Sequence, residues 1–136
     1  MVKPIMRDAF FLNQKSEEAT KVDLPVAQDL EDTLKANRER CVGMAANMIG
    51  YRKRIIIVAT GLADMVMINP VITEKSEPYE TEEGCLSLPG VRKTNRYNKI
   101  TVRYLDKKFA EHTQSFSGYI AQIIQHECDH LEGILI

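Results

Sequence analysis

Apolar residues recur along this chain at two different spacings, and the change of spacing predicts where helices give way to strands. Over residues 25–38, Val26, Leu30 and Leu34 fall four apart and share one face of a helix. Asp23 precedes that stretch and can cap its first turn. Residues 41–50 carry glycines and no regular period, which predicts an irregular connection. The β-branched run RIIIVA at 54–59 predicts a buried strand. A second strand is expected over 66–73, with an edge or bulge at Asn69-Pro70, because proline cannot donate to a sheet ladder. Farther on, Ile100, Val102 and Tyr104 alternate with polar neighbours over 99–105, and Asp106-Lys107-Lys108 predicts a turn into a strand at 109–116. Ser117 can cap a last helix over 118–132, with Gly133 as its stop. Several strands between two helices, without regular βαβ alternation, predict an α+β fold.

Composition narrows the class. At 136 residues the chain has the length of one ordinary domain, taken as 1–136, and it shows no repeat or Pro/Gly/Ser linker that would divide it. It is 44% hydrophobic and 27% charged with a net charge of −1, which argues against disorder and gives no nucleic-acid footprint. No apolar run reaches the length of a membrane span, and the opening MVKPIMRDAFFLNQKSEE lacks the apolar core of a signal peptide. Three cysteines, an odd number, fit a reducing compartment better than a disulfide framework. A cytoplasmic protein is expected.

The chemistry is concentrated near the end of the chain, at His126-Glu127-Cys128-Asp129-His130. HExxH on a helix puts two imidazoles one turn apart on one face, beside a carboxylate that can serve as a general base. With only three histidines in the chain, chance would give this pattern on the order of one time in a hundred. Two protein ligands hold a metal poorly, so a third is expected. A metzincin-type motif would carry it at Ile136, which is not a ligand. The candidates upstream are Cys85, Cys41, His112 and several glutamates. Cys85 has glycine before it and a Gly/Pro turn after it, so a thiolate there can approach a metal.

Three blocks then resemble peptide deformylases: Gly43-Met44-Ala45-Ala46, EGCLSLPG at 83–90 and QHECDHLEG at 125–133. The resemblance runs from the helix at residue 25 to the end of the chain. It implies mixed and antiparallel sheets packed around a central HExxH helix, with one N-terminal helix. It also implies a metal hydrolase that removes the formyl group from N-formylmethionine on nascent bacterial proteins. Carried over by motif, Cys85, His126 and His130 are the ligands and Glu127 is the general acid/base. The Leu86 N–H then helps stabilise the oxyanion, and Gly43, Met48 and Arg92 lie near the peptide-binding cleft. The implied metal is Fe²⁺, with Ni²⁺, Co²⁺ or Zn²⁺ able to replace it, and the implied partners are N-formylmethionyl peptides. No contact with nucleic acid or membrane is expected.

Two departures from the resembled pattern bear on activity. The first block normally reads GxGxAAxQ, whereas here Cys41 replaces its first glycine and Met48 its glutamine. That glutamine amide hydrogen-bonds the developing oxyanion in the resembled proteins, and a thioether offers no N–H. Losing one such donor costs about 3–4 kcal/mol in other enzymes. Asn47 carries an amide, but one position along an extended chain points the opposite way. Either the local backbone re-aims Asn47 or the site works with one donor fewer. Two further readings stay open beside an active deformylase: an amidohydrolase for another small acyl group, and a silent homologue that binds formyl peptides or inhibitors. Glu127 argues against the silent one, since a binder has no need of a base.

Overall fold

The computed structural model describes residues 1–135, and Ile136 lies outside them. A short helix, α1 (Ala9–Leu12), comes first, with the Asp8 carboxylate accepting from the Phe10 N–H at 3.0 Å. It precedes the helix expected from periodicity, so that helix is not the only one before the sheet. Next, a 3₁₀ turn (Lys21–Asp23) leads into α2 (Leu24–Ala36), which buries Val26, Leu30 and Leu34 as their spacing predicts. Asp23 does not cap α2. Its carboxylate accepts from the Thr20 N–H at 2.9 Å and closes the 3₁₀ turn instead.

Five strands follow: β1 (Gly43–Ala45), β2 (Ile55–Ala59), β3 (Asp64–Cys85), β4 (Leu88–Leu105) and β5 (Glu111–Ser117). They form one sheet in the order β1-β2-β3-β4-β5, with every neighbouring pair antiparallel. The expected mixed sheets are therefore corrected to a single antiparallel meander. The connections explain why: they are too short for the crossover of a dozen or more residues that a parallel pair needs.

β3 and β4 are much longer than the stretches expected at 66–73 and 99–105. Their outer halves are rich in Glu, Lys, Arg and Asn and contain Pro78, so neither alternation nor β-propensity marks them. The expected bulge is present, with the β3–β4 register slipping between Ile68 and Val71 and Asn69 at φ 51°. Asn69 uses that irregularity. Its Oδ1 accepts from the Ala19 N–H at 2.8 Å while its Nδ2 donates to the Ala19 carbonyl at 3.0 Å. The turn after β4 is also longer than expected, because the Asp106 carboxylate accepts from the N–H groups of both Lys108 and Ala110, and β5 starts at Glu111.

Helix α3 (Gly118–Leu131) ends the described fold. Ser117 stands at its N-cap, but the hydroxyl makes no cap bond, which corrects that expectation. α3 packs against β1, β2, β4 and β5, and α2 against β1 and β2. Ile55, Ile56, Ile57 and Val58 of β2 are completely buried on both faces as a result. Gln125 ties α3 to the edge of β4: its Oε1 accepts from the Tyr97 N–H and its Nε2 donates to the Tyr97 carbonyl, both at 2.8 Å. Beyond Leu131, Gly133 adopts φ 76°, and a Cβ there would lie 2.6 Å from the Asn13 carbonyl oxygen. Glycine stops the helix as expected and also admits the N-terminal segment. Among the described residues no helix is long and apolar enough to cross a membrane.

Candidate metal centre

The four-residue period of α3 stacks His126 over His130 and turns both toward the end of β3. Their Nε2 atoms lie 3.1 Å apart, and Cys85 Sγ lies 3.4 Å from His130 Nε2. All three donor atoms fall within 4.8 Å of one another. Two imidazoles on one tetrahedral ion at 2.0–2.1 Å would place their nitrogens roughly 3.4 Å apart, so the set fits a small divalent metal. Cys85 reaches this point because β3 ends there, paired with Leu88 across a two-residue turn. The other candidate cysteine and histidine are engaged with other partners. His112 is exposed on β5, bonded to Asp106 at 2.7 Å and stacked on Tyr104. Cys41 lines the same cleft, but its thiol donates to the Gly43 carbonyl at 2.8 Å, and burial together with the Glu127 charge pushes it up to about 12.

A buried polar network fixes the first histidine. Glu83 Oε1 lies 2.8 Å from His126 Nδ1, which orients the ring and leaves Nε2 for a metal. Arg96 forks onto Glu83 through Nη2 at 2.7 Å and Nε at 3.0 Å, and its Nη1 reaches Asp129 at 2.7 Å. Gln122 Nε2 donates to the other Glu83 oxygen at 2.9 Å. Burial opposes ionisation of Glu83, but the bonds from His126, Arg96 and Gln122 outweigh it and hold Glu83 down at about 2. Burial likewise opposes charge on His126, yet its bonds to Cys85 and Glu83 and the nearby Glu127 raise it to about 10. Asp129 thus belongs to the network rather than to a solvated face. Glu83 and Arg96 escaped sequence reasoning as functional residues. The signal for Glu83 was its place two residues before Cys85, on the same face of one strand; Arg96 had none.

Glu127, between the two histidines in sequence, is 4% exposed, with Oε1 lacking any hydrogen-bond partner among the described residues. Burial pushes it up to about 7, against the pull of the His126 charge. Gly43 faces it: a Cβ there would lie 2.6 Å from Ile123 Cγ2 and 3.1 Å from Glu127 Oε2. The cleft in front is about 450 Å³ and is lined by Gly43, Met48, Leu86 and Ile123 together with Cys85, His126 and Glu127. Met48 is buried, and its Sδ accepts from the Ala45 N–H at 3.4 Å. Asn47 does not replace the missing amide. Residues Ala46–Ile49 form a 3₁₀ turn rather than an extended chain, and Asn47 Nδ2 donates to the His130 carbonyl at 2.8 Å. Arg92 is not among the residues lining the cleft; it stands opposite Glu83 on β4 and reaches the Pro89 carbonyl at 3.4 Å.

The family model for polypeptide deformylase matches residues 3–136. The chain belongs to the peptide deformylase family. It is 61% identical to the peptide deformylase of Clostridium beijerinckii over 136 residues, the whole of both chains. Its fold superposes on the actinonin-bound class I type b peptide deformylase of Acinetobacter baumannii with a TM-score of 0.88 and 34% identity, covering 99% of this chain and 95% of that one. The Met-Ala-Ser-bound form of that protein gives a TM-score of 0.89 and 32% identity, covering 99% and 97%. Peptide deformylases are metal-dependent hydrolases, and this chain is one by family and by its convergent Cys/His/His set.

Proposed function

We propose that this deformylase removes the formyl group from peptides that begin with N-formylmethionine, with Cys85, His126 and His130 as metal ligands and Glu127 as general acid/base. The observation that carries this reading is the convergence of one thiol and two imidazole nitrogens beside a buried carboxylate, on the wall of an open cleft. A thiolate with two imidazoles suits Fe²⁺, Co²⁺, Ni²⁺ or Zn²⁺ rather than Mg²⁺ or Ca²⁺, and Fe²⁺ is the metal proposed. When bound, the ion polarises the formyl carbonyl and makes water acidic enough to react near neutral pH.

The chain's own residues handle positioning and protons. Glu127, held up to about 7, is matched to taking a proton from water and returning it to the leaving amine. A nearby divalent cation lowers that value, so the acid limb of kcat/KM belongs at or below about pH 7. Leu86 lines the cleft, and its N–H is the proposed donor to the growing negative charge, while the missing side chain of Gly43 lets β1 come close to Ile123 and Glu127. Met48 favours a second reading, a different small acyl group, because its sulfur is turned to the Ala45 N–H and brings no donor to the cleft.

The test is formate release from a formyl-Met tripeptide by anaerobic, Fe²⁺-loaded protein, with an acetyl tripeptide alongside. Wild type should release formate and leave the acetyl peptide intact. Glu127→Gln should lose about a hundredfold or more, and Met48→Gln should gain about tenfold in kcat. Formate from Met48→Gln alone, with metal bound equally in both proteins, would sink the proposal.

A further inference from the structure

The Leu86–Ser87 peptide unit follows Cys85 in the turn between β3 and β4, and both of its polar groups are engaged. Its N–H, that of Ser87, points at Cys85 Sγ from 3.4 Å. Its carbonyl, that of Leu86, accepts from Arg7 Nη1 at 2.9 Å across 79 residues of chain. The residue before Arg7 acts on the opposite wall of the cleft, where the Met6 N–H donates to the Met48 carbonyl at 2.7 Å. The N-terminal segment, residues 3–16, forms an arm that is anchored on both sides of Met6 and Arg7. The Lys3 N–H donates to Thr33 Oγ1 on α2 at 2.9 Å, and the Ser16 N–H donates to the Leu131 carbonyl at the end of α3 at 2.8 Å. Among the described residues Arg7 forms no salt bridge, and its exposed guanidinium donates to the Leu86 carbonyl.

The geometry points to Arg7 as a positioning residue that acts through the Leu86–Ser87 peptide on the Cys85 sulfur and on the Leu86 N–H. A guanidinium on a carbonyl polarises the whole peptide and strengthens its N–H as a donor. That N–H orients the sulfur as outer hydrogen bonds orient metal ligands generally. Fixing the same turn fixes the Leu86 N–H, and this catalytic consequence rests on the deformylase reading above.

Wild type, Arg7→Ala and Arg7→Lys decide the matter by two routes. In metal-free protein, amide hydrogen exchange at Leu86 and Ser87 should quicken about tenfold in Arg7→Ala and return most of the way in Arg7→Lys. In Co²⁺-loaded protein, the thiolate-to-cobalt absorption band should shift in Arg7→Ala and recover in Arg7→Lys. With the same metal content, kcat should fall about three- to tenfold while KM stays within about twofold. Exchange and band unchanged in Arg7→Ala would overturn the assignment. So would exchange that rises equally across α2 and α3, since the arm would then be general packing. If wild type released no formate, the deformylase reading would fail, while exchange and absorption would still decide what Arg7 does.

Discussion

Gly43 shows what one missing side chain permits. Its importance lies in close approach rather than backbone freedom, because β1 lies against α3 at the point where Ile123 and Glu127 stand. Gly43→Ala is expected to cost about 1–3 kcal/mol by overpacking and to displace Glu127, lowering kcat at least tenfold. Urea unfolding and formate release measure the two effects separately, and a wild-type kcat in this variant would contradict the contact. At this scale the clustering of His126 and His130 beside the Glu127 carboxylate was legible, because HExxH on a helix leaves little freedom in where its side chains go. The loss of the glutamine at Met48 was legible too. The fate of Asn47 was not, since a 3₁₀ turn in place of extended chain changes which way each residue faces. Arg96 was hidden for a different reason: a buried arginine announces itself only through partners that are distant in sequence.

Between elements, the site is a joint of one strand end and one helix, and Glu83 is the pin. Strand β3 supplies Glu83 and Cys85, helix α3 supplies the histidines, and the Glu83–His126 bond sets their relation. Glu83→Gln is expected to weaken metal binding about 10–100-fold, read by competition with a coloured chelator, with only a small change in secondary structure. Affinity equal to wild type would mean that the network merely packs. Helices α2 and α3 and strand β2 were readable from the sequence because each buries a regular stripe or an unbroken apolar run. The outer halves of β3 and β4 were not, because they pair chiefly with each other and bury little. Their pairing is held by the ladder and by cross-strand contacts such as the Lys99–Glu77 ion pair at 3.0 Å, which a one-dimensional pattern does not display.

For the molecule as a whole, three buried groups set how stability follows pH without metal. Glu83 is held at about 2 against an ordinary value of 4.5, so its contribution is present above 4.5 and lost as pH falls toward 2. Glu127 and His126 are held above their ordinary values. Their contributions therefore fade as pH rises, from 4.5 through about 7 for Glu127 and from 6.5 through about 10 for His126. The metal-free protein should be most stable near pH 4.5, and Glu83→Gln should flatten the acid side of a plot of urea midpoint against pH. A midpoint that climbs steadily to pH 8 would contradict this. With His126 as the proposed ligand, metal binding displaces its proton, so affinity should fall as the solution is acidified. The outer β3–β4 ribbon has a consequence of another kind. Among the described residues, beyond 64–68 of β3 and 99–105 of β4 neither strand has a second strand beside it, and Gln125 covers the edge at Tyr97. Such open edges invite other chains to add strands and grow into aggregates. The run of Glu, Lys and Arg that disguised the ribbon also makes it a poor template for that growth, and keeps separate molecules from zipping together along it.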